Sequence, residues 1–142
     1  MAVLFPFEVY TPYRLFFSAP VEVIILTLED GEMGIYANHA PFKASVAPCL
    51  FRIKNKDGEW KTAFVAEGIV EFYNNSAVLI CDAAEWSEEI DYQRAVEAKE
   101  SAEQTLAHGM FRFEKEIAAA ALRRANARLL AKEKGNNREG RI

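Results

Sequence analysis

The stretch Glu85-Trp-Ser-Glu-Glu-Ile-Asp-Tyr-Gln-Arg-Ala95 separates two parts of the chain that differ in composition. Before it, apolar and polar residues alternate, and glycine, proline and asparagine recur at short intervals. After it there is no proline, and alanine, glutamate, lysine and arginine dominate. The first pattern is typical of β strands joined by turns, and the second is typical of helices. The stretch therefore marks the change from a β domain to a helical one.

The junction itself contains residues that can begin a helix. Ser87 or Asp91 can act as an N-cap, because a short side-chain oxygen accepts a free N–H of the first turn. Asp91 and Arg94 are three residues apart and share a face of the predicted helix. An isolated pair of this kind is usually a cap and a surface ion pair. The pair alone does not indicate a functional site.

The length and charge of the chain limit the number of its domains and the kinds of partner that it can bind. Its 142 residues, 51% of them hydrophobic, suffice for one domain or two small ones with an apolar core. Residues 1–90 carry a formal charge of −7 and residues 91–142 carry +3, which together give the net −4. This distribution argues against a nucleic-acid-binding protein, which would concentrate positive charge more strongly. It suits docking of the helical part onto an acidic protein surface.

The cysteines and apolar segments predict a cytoplasmic protein. The two cysteines have no CxxC or Cys/His spacing, so we expect reduced thiols and no metal site. The N-terminal residues lack the basic and apolar regions of a signal peptide. The longest apolar run, residues 21–28, is far too short for a transmembrane helix.

Short segments of β-type sequence, separated by turn residues, fill the first part of the chain. The predicted strands are residues 5–10, 14–17, 21–28, 33–36, 42–46, 50–54, 60–67, 69–73 and 78–81. Ser18-Ala-Pro20 is predicted to be a turn, and Asn38 to adopt a left-handed conformation. There is no room for βαβ crossovers before residue 85, so the pattern predicts an antiparallel sandwich or barrel.

Two helices are predicted after the junction, at residues 91–107 and 113–134, separated by His108-Gly109. The expected apolar stripes are Ala95, Ala98, Ala102 and Leu106 on the first helix, and Ile117, Ala121, Ala125 and Leu129 on the second. The predicted fold class is therefore α+β, with a β-sandwich (residues 1–86), a two-helix antiparallel hairpin (residues 87–135) and a flexible tail (residues 136–142).

The alanine stripes indicate a weakly held hairpin. Burying a methyl-sized group contributes only about 0.8 kcal/mol, whereas ordering one residue costs about 1–2 kcal/mol of backbone entropy. Alanine is also the best helix former, so each helix can persist when the pair separates. The composition favours a hairpin that opens without melting, although a permanently docked hairpin fits the same periodicity.

No catalytic motif is present in the sequence. There is no phosphate-binding glycine loop with Lys-Ser/Thr, no HExxH and no nucleophile elbow, so we do not expect an enzyme. Arg124 and Arg128 are four apart on one helix face, and Arg94 of a folded hairpin could join them. Guanidinium groups grouped in this way bind phosphate oxygens, and Asp91 could bind a base or ribose. The alternative is a solvated basic face.

Several segments resemble, in order, those of the epsilon subunit of bacterial F-type ATP synthase. They are Gly31-Glu-Met-Gly-Ile-Tyr-Ala-Asn-His-Ala-Pro41, Leu50-Phe-Arg-Ile53, Phe64-Val-Ala-Glu-Gly-Ile-Val-Glu71, Val78-Leu-Ile-Cys-Asp-Ala-Ala-Glu85 and Ile90-Asp-Tyr-Gln-Arg-Ala95. The resemblance implies a non-catalytic rotor subunit at the membrane's cytoplasmic face, whose sandwich binds the gamma subunit and the c-ring. It also implies a hairpin that inhibits ATP hydrolysis when extended onto the alpha and beta subunits.

In some members of this family the folded hairpin binds ATP as a regulatory ligand, and no cofactor is required. The residues that match the nucleotide-binding pattern are Glu85, Ile90, Asp91, Arg94, Ala95, Arg124 and Arg128. One departure is Ser101, which follows Lys99-Glu100 where such members often carry arginine. Losing one phosphate-facing charge costs about 1.5–3 kcal/mol, so we expect weak or no ATP binding. Ala37-Asn38 and Ala66-Glu67-Gly68 also differ from the commoner Pro-Gly and Ser-Gly-Gly.

The resemblance also places the turn that carries Glu32 and His39 towards the c-ring. Two other classes remain open on the residues alone. A free-standing nucleotide sensor would use the same arginines without binding gamma. A small enzyme on a β-sandwich would need a polar pocket that the sequence does not show.

Overall fold

The computed structural model describes residues 2–135, so the tail predicted at residues 136–142 lies outside the described residues. The strands are β1 (Phe5–Tyr10), β2 (Leu15–Leu28), β3 (Gly31–Tyr36), β4 (Phe42–Val46), β5 (Cys49–Asn55), β6 (Trp60–Val65), β7 (Gly68–Tyr73), β8 (Ser76–Cys81) and β9 (Ala84–Trp86). A 3-10 turn (Ser87–Glu89) leads to the helices α1 (Tyr92–His108) and α2 (Arg112–Gly135).

Strand β2 holds the two layers of the sandwich together. Its first half pairs with β1, and its second half pairs with β3 and β5. One layer continues from β1 through β8 and β7 to β4, and the other from β5 through β6 to β9. The pairings are antiparallel except for β1 with β8, which is parallel. A β-sandwich followed by a helical hairpin is therefore confirmed.

The core lies between the two layers. Every second side chain of β1 is buried in it, at Phe5, Phe7 and Val9, as the two-residue period of a strand requires. The ring centroids of Phe5 and Phe72 are 5.5 Å apart, and those of Phe7 and Phe51 are 5.8 Å apart. These contacts join strands of both layers into one apolar cluster.

The predicted turn at residues 18–20 is wrong. Leu15–Leu28 is a single strand, and Pro20 lies directly opposite Pro6 in the pairing with β1. From Val21 onward the strand also pairs with β5, so the proline sits where β2 passes from one layer to the other. A residue without an N–H donor is tolerated at such a position. Strand β9 was not predicted.

Helix α1 begins at one of the two positions that the junction residues predicted. Asp91 is the N-cap of α1, because its Oδ1 accepts a hydrogen bond from the backbone N–H of Arg94 at 3.1 Å. Ser87 instead begins the 3-10 turn. Helix α2 lies against α1 and also against β5, β6 and the 3-10 turn. Within residues 2–135, neither helix is long and apolar enough to cross a membrane.

The predicted apolar stripe of α2 is partly wrong. Ile117 is 67% exposed and Ala121 is also exposed, whereas Ala118 and Ala125 are buried. A row of residues spaced by four drifts about 40° around the helix at each step, because a turn contains 3.6 residues. Residues 117 and 129 therefore point in very different directions. On α1, Ala95 and Ala102 are buried as predicted, but Ala98 is exposed.

Helix α2 has a second buried face, formed by Ala127 and Ala131. These two alanines pack against the sandwich, almost opposite to the Ala118 and Ala125 face. The helix is thus the middle layer between α1 and the outer surface of β5 and β6. Its position brings the basic residues of α2 next to the turns of the sandwich.

Candidate functional site where the hairpin meets the sandwich

The apolar contact between α2 and the sandwich is a narrow strip. Ala127 and Ala131 pack with Phe64, Ala66 and Ile90, all of them nearly or fully buried. Leu50 and Ala83 border the strip and are partly buried. The helix contributes only methyl groups here, each worth about 0.8 kcal/mol, so the larger apolar side chains in the strip, Phe64 and Ile90, come from the other side of the contact.

Arg124 holds the hairpin at one edge of this strip. Its Nε donates to Oε1 of Glu67 at 2.7 Å, and its Nη2 donates to Oε2 at 3.1 Å. The Nη2 atom also lies 3.6 Å from Oδ2 of Asp82. These hydrogen bonds hold the pKa of the Glu67 carboxyl below its usual value and raise the pKa of Arg124. The groups are more than a third exposed, so the pair adds modest stability and mainly fixes the position of α2.

Three further residues hold the C-terminal half of α2. The Nε of Arg128 donates to Oε1 of Glu85 at 2.6 Å, and its guanidinium lies 4.4 Å from the ring centroid of Phe64. The Nζ of Lys132 donates to the backbone carbonyl of Ser87 at 3.1 Å. Gly135 lies so close to Ser87 that an added Cβ would overlap the serine side chain. The helix end is therefore seated directly on the 3-10 turn.

A cavity of about 470 Å³ opens beside Arg128, between the start of α1 and the sandwich. It is lined by Glu85, Glu89, Asp91, Arg94, Ala95, Ala98 and Arg128. Five of the seven predicted nucleotide-binding residues are thus brought together. The lining has three carboxylates and two guanidinium groups, a formal charge of −1. Such a lining binds a polyanion less well than a purely basic one.

Two predicted nucleotide-binding residues lie outside the lining of this cavity. Ile90 is 3% exposed and belongs to the apolar strip, and Arg124 is turned towards Glu67. Sequence reasoning missed Glu89, which accepts the backbone N–H of Trp86 at 3.3 Å and pairs with Arg14 at 3.2 Å. The sequence carries little signal for this role, because a capping box has Ser or Thr where this chain has Trp86.

Ser101 extends the cavity-facing surface of α1. It is exposed and lies seven residues after Arg94 and three after Ala98, on the same face of the helix. Its backbone carbonyl accepts a hydrogen bond from Oγ1 of Thr105 at 3.2 Å. Ser101 itself is not among the residues that line the cavity.

Glu32 and His39, the predicted ring-facing residues, lie at opposite ends of β3. Glu32 is near the start of the strand and accepts a hydrogen bond at 3.2 Å from Nη2 of Arg52, which is 4% exposed. His39 follows the other end, and its ring lies 4.9 Å from that of Phe42. Asn38 beside it has φ of 64°, which confirms its predicted left-handed conformation.

Lowering the pH should loosen the contact that Arg124 makes. A carboxylate with a lowered pKa in the folded state stabilises it above the unfolded pKa, and this contribution is lost as pH falls through the folded pKa. Because Arg124 lowers the pKa of Glu67 from 4.5, we expect the hairpin to loosen below that pH. Energy transfer between dyes on the sandwich and on α2 measures this opening.

The Glu67→Gln variant should lose the part of this pH dependence that the carboxylate causes. Glu59→Gln, on an exposed turn, is the matched control and should behave like the wild type. An identical pH profile for Glu67→Gln and the wild type would contradict the role given to Glu67.

Comparison with known proteins gives a consistent family. The β-sandwich domain of the ATP synthase delta/epsilon chain matches residues 4–87, and the long alpha-helix domain of that chain matches residues 88–133. The ATP synthase epsilon chain of Caldicellulosiruptor bescii is 48% identical over 130 residues, which cover 91% of this chain and 94% of that protein. The epsilon chain of Caldanaerobacter subterraneus subsp. tengcongensis is 42% identical over 125 residues, 88% of this chain and 91% of that protein.

A solved structure supports the same fold. A chain of the Euglena gracilis mitochondrial ATP synthase complex of OSCP, F1 and c-ring superposes with a TM-score of 0.80 and 18% identity, over 89% of this chain and 80% of that one. At this identity the likeness concerns the fold alone. Since the two family domains match almost the whole chain, and relatives above 40% identity cover most of it, this chain belongs to the epsilon-subunit family of bacterial F-type ATP synthase.

Proposed function

We propose that the chain is a non-catalytic rotor subunit in the central stalk, which couples catalysis to ion translocation and regulates ATP hydrolysis through its hairpin. The observation that carries the regulatory part is the contact between α2 and the sandwich. It consists of a short apolar strip, to which the helix contributes only alanines, and a few partly exposed polar contacts, so it can separate while the helices persist. Family membership supports the rest.

The gamma subunit is proposed to dock on the layer that the hairpin leaves uncovered. Helix α2 lies on β5 and β6, whereas β4, β7 and β8 present a groove of about 590 Å³. Ile69 and Ile80 line this groove and are 47% and 61% exposed. Exposed apolar residues grouped around a groove are typical of a protein interface.

The c-ring is proposed to lie along β3. Within the described residues this strand pairs only with β2, so its outer edge is available to a partner. Glu32 lies near the start of β3, and His39 lies three residues beyond its end, after the turn at Asn38. A ring wide enough to reach both ends of β3 can contact both residues.

Replacing Glu32 by Gln together with His39 by Ala should weaken coupling to the ring. Glu32→Gln removes the charge that faces Arg52, and His39→Ala removes a ring that packs against Phe42 and Phe72, so the melting temperature of the double variant has to be measured alongside. The measurement is ATP-driven ion pumping in vesicles that contain the reconstituted complex. Glu59→Gln is the control on an exposed turn elsewhere. Full pumping by the double variant would rule out this placement of the ring.

Inhibition of ATP hydrolysis is proposed to require release of α2 from the sandwich. In the docked form, Ala127 and Ala131 are covered by the sandwich, and Arg124 and Arg128 are paired with carboxylates. Release exposes these residues on a continuous helix, where the alpha and beta subunits can bind them. The docked form then corresponds to the state that permits hydrolysis.

Replacing Ala131 by Leu should shift the hairpin towards the released form. Ala131 is fully buried, and extra methylene groups in such a site cost about 1–3 kcal/mol, whereas leucine keeps the helix intact. We expect stronger inhibition of hydrolysis in the reconstituted complex, measured as the steady-state rate. Ala121→Leu makes the same change at an exposed position of α2 and should hydrolyse ATP at the wild-type rate.

The two leucine variants also separate docking from regulation. Energy transfer between the sandwich and α2 reports the position of the hairpin independently of hydrolysis. A released hairpin in Ala131→Leu without any change in rate would refute the regulatory proposal.

ATP is proposed to bind weakly in the cavity beside Arg128 and to favour the docked form. Arg94 and Arg128 are the two basic groups in its lining, and Arg128 is already paired with Glu85. A ligand that binds only the docked form stabilises it by mass action. Because carboxylates outnumber the guanidinium groups, we expect a Kd of about 1 mM or weaker.

Restoring a positive charge at Ser101 should strengthen ATP binding. An arginine at this position adds a charged hydrogen bond worth about 1.5–3 kcal/mol, which corresponds to roughly 10–100-fold in affinity. Calorimetric titration of the isolated chain with ATP measures the change. Ser101→Gln, with a long but neutral side chain, should stay near the wild type. Equal affinities for the arginine and glutamine variants would contradict the placement of the ATP phosphates beside residue 101.

A further inference from the structure

The groove on β4, β7 and β8 ends at two carboxylates that also hold the hairpin. Glu67, between β6 and β7, and Asp82, between β8 and β9, both line this groove. The same two side chains are the partners of Arg124 in α2. One pair of carboxylates therefore belongs to the groove and to the docking contact of the hairpin at once.

These two carboxylates are held close together by the backbone. The N–H of Asp82 donates to the carbonyl of Glu67 at 3.0 Å, and the N–H of Ala66 donates to the carbonyl of Ala83 at 2.9 Å. The two turns are thus fixed side by side. Glu67 alone accepts the two hydrogen bonds from Arg124, and Oδ2 of Asp82 lies 3.6 Å from Nη2 of the same guanidinium group.

In the part of the chain that the structure describes, no basic side chain of the sandwich forms an ion pair with Glu67 or Asp82. The third carboxylate of the groove, Glu71, faces Lys43 at 3.9 Å. Among residues 2–135, the ion pairs of Glu67 and Asp82 are all made with Arg124. When α2 leaves the sandwich, the groove therefore gains two unneutralised negative charges next to its apolar floor.

We propose that Glu67 and Asp82 bind two competing ligands, Arg124 of the docked hairpin and a lysine or arginine of the protein that occupies the groove. The occupant is a subunit with an apolar segment beside a basic residue. This inference rests on the proposed function, in which that occupant is gamma. Charge complementarity is the reason for proposing a basic occupant, because the end of the groove is acidic once Arg124 has left.

Because Arg124 and the partner compete for one carboxylate pair, docking of the hairpin and binding of the partner are linked. Docking of the hairpin weakens binding in the groove, and occupation of the groove by a basic partner favours release of the hairpin by the same factor. Assembly onto the rotor would thus loosen the hairpin without any contact between the partner and the helices. The coupling resides in two side chains rather than in a change of fold.

Binding of the full-length chain to purified gamma tests this competition. Arg124→Ala and the triple variant Arg124→Ala, Glu67→Gln, Asp82→Asn both lack the ion pair with α2, so they differ only in the charge of the groove. We expect the triple variant to bind gamma at least about tenfold more weakly at low salt, and the difference to shrink at about 1 M salt. Lys115→Ala, an exposed position near the start of α2, should bind like the wild type.

The outcomes separate this inference from the proposed function. Equal affinities of Arg124→Ala and the triple variant would overturn the competition. Unchanged affinity of Ile80→Asp, which places a charge in the apolar floor, would show that gamma binds outside the groove and would overturn it as well. Both results leave gamma as a partner, whereas a wild-type chain that does not bind gamma would refute the proposed function.

Discussion

The packing of Ala127 and Ala131 onto Phe64 and Ile90 is the contact on which the arrangement of the two domains depends. Alanine allows the helix axis to come close to the strands, which brings the arginines of α2 within reach of the turns of the sandwich. The same small side chains bury little apolar surface. The composition of the helix therefore explains its close approach, while the larger apolar side chains that the contact covers, Phe64 and Ile90, lie outside α2.

The charged contacts determine where the helix lies more than how strongly it is held. Arg124 and Arg128 pair with Glu67 and Glu85, which belong to different parts of the sandwich, so the two bonds fix both the position and the rotation of α2. Partly exposed ion pairs contribute about 0–1 kcal/mol each. A contact built in this way fixes one position of the helix without a large contribution from the ion pairs, which suits the proposed release of the hairpin.

The fold could be predicted from the sequence because strand and helix periods differ and the junction at residues 85–95 separates them. The continuation of β2 through Pro20 could not, since it depends on the passage of that strand between layers. Likewise, spacing placed Arg124 and Arg128 on one face. The two side chains nevertheless differ in direction by about 40° around the helix axis. Spacing did not reveal that Arg124 therefore meets the carboxylates of Glu67 and Asp82 and lies outside the cavity.

This divergence of the two arginines changes how the site works. Arg128 remains at the cavity, where it pairs with Glu85 and stacks on Phe64, and so links the hairpin to any anion bound there. Arg124 lies on the other side of the contact between α2 and the sandwich, where it pairs with the carboxylates at the end of the groove. Neighbouring positions on one helix thus connect the docked state to two separate surfaces. A ligand at one surface and a partner at the other would push the hairpin in opposite directions, because the first stabilises docking and the second competes with it.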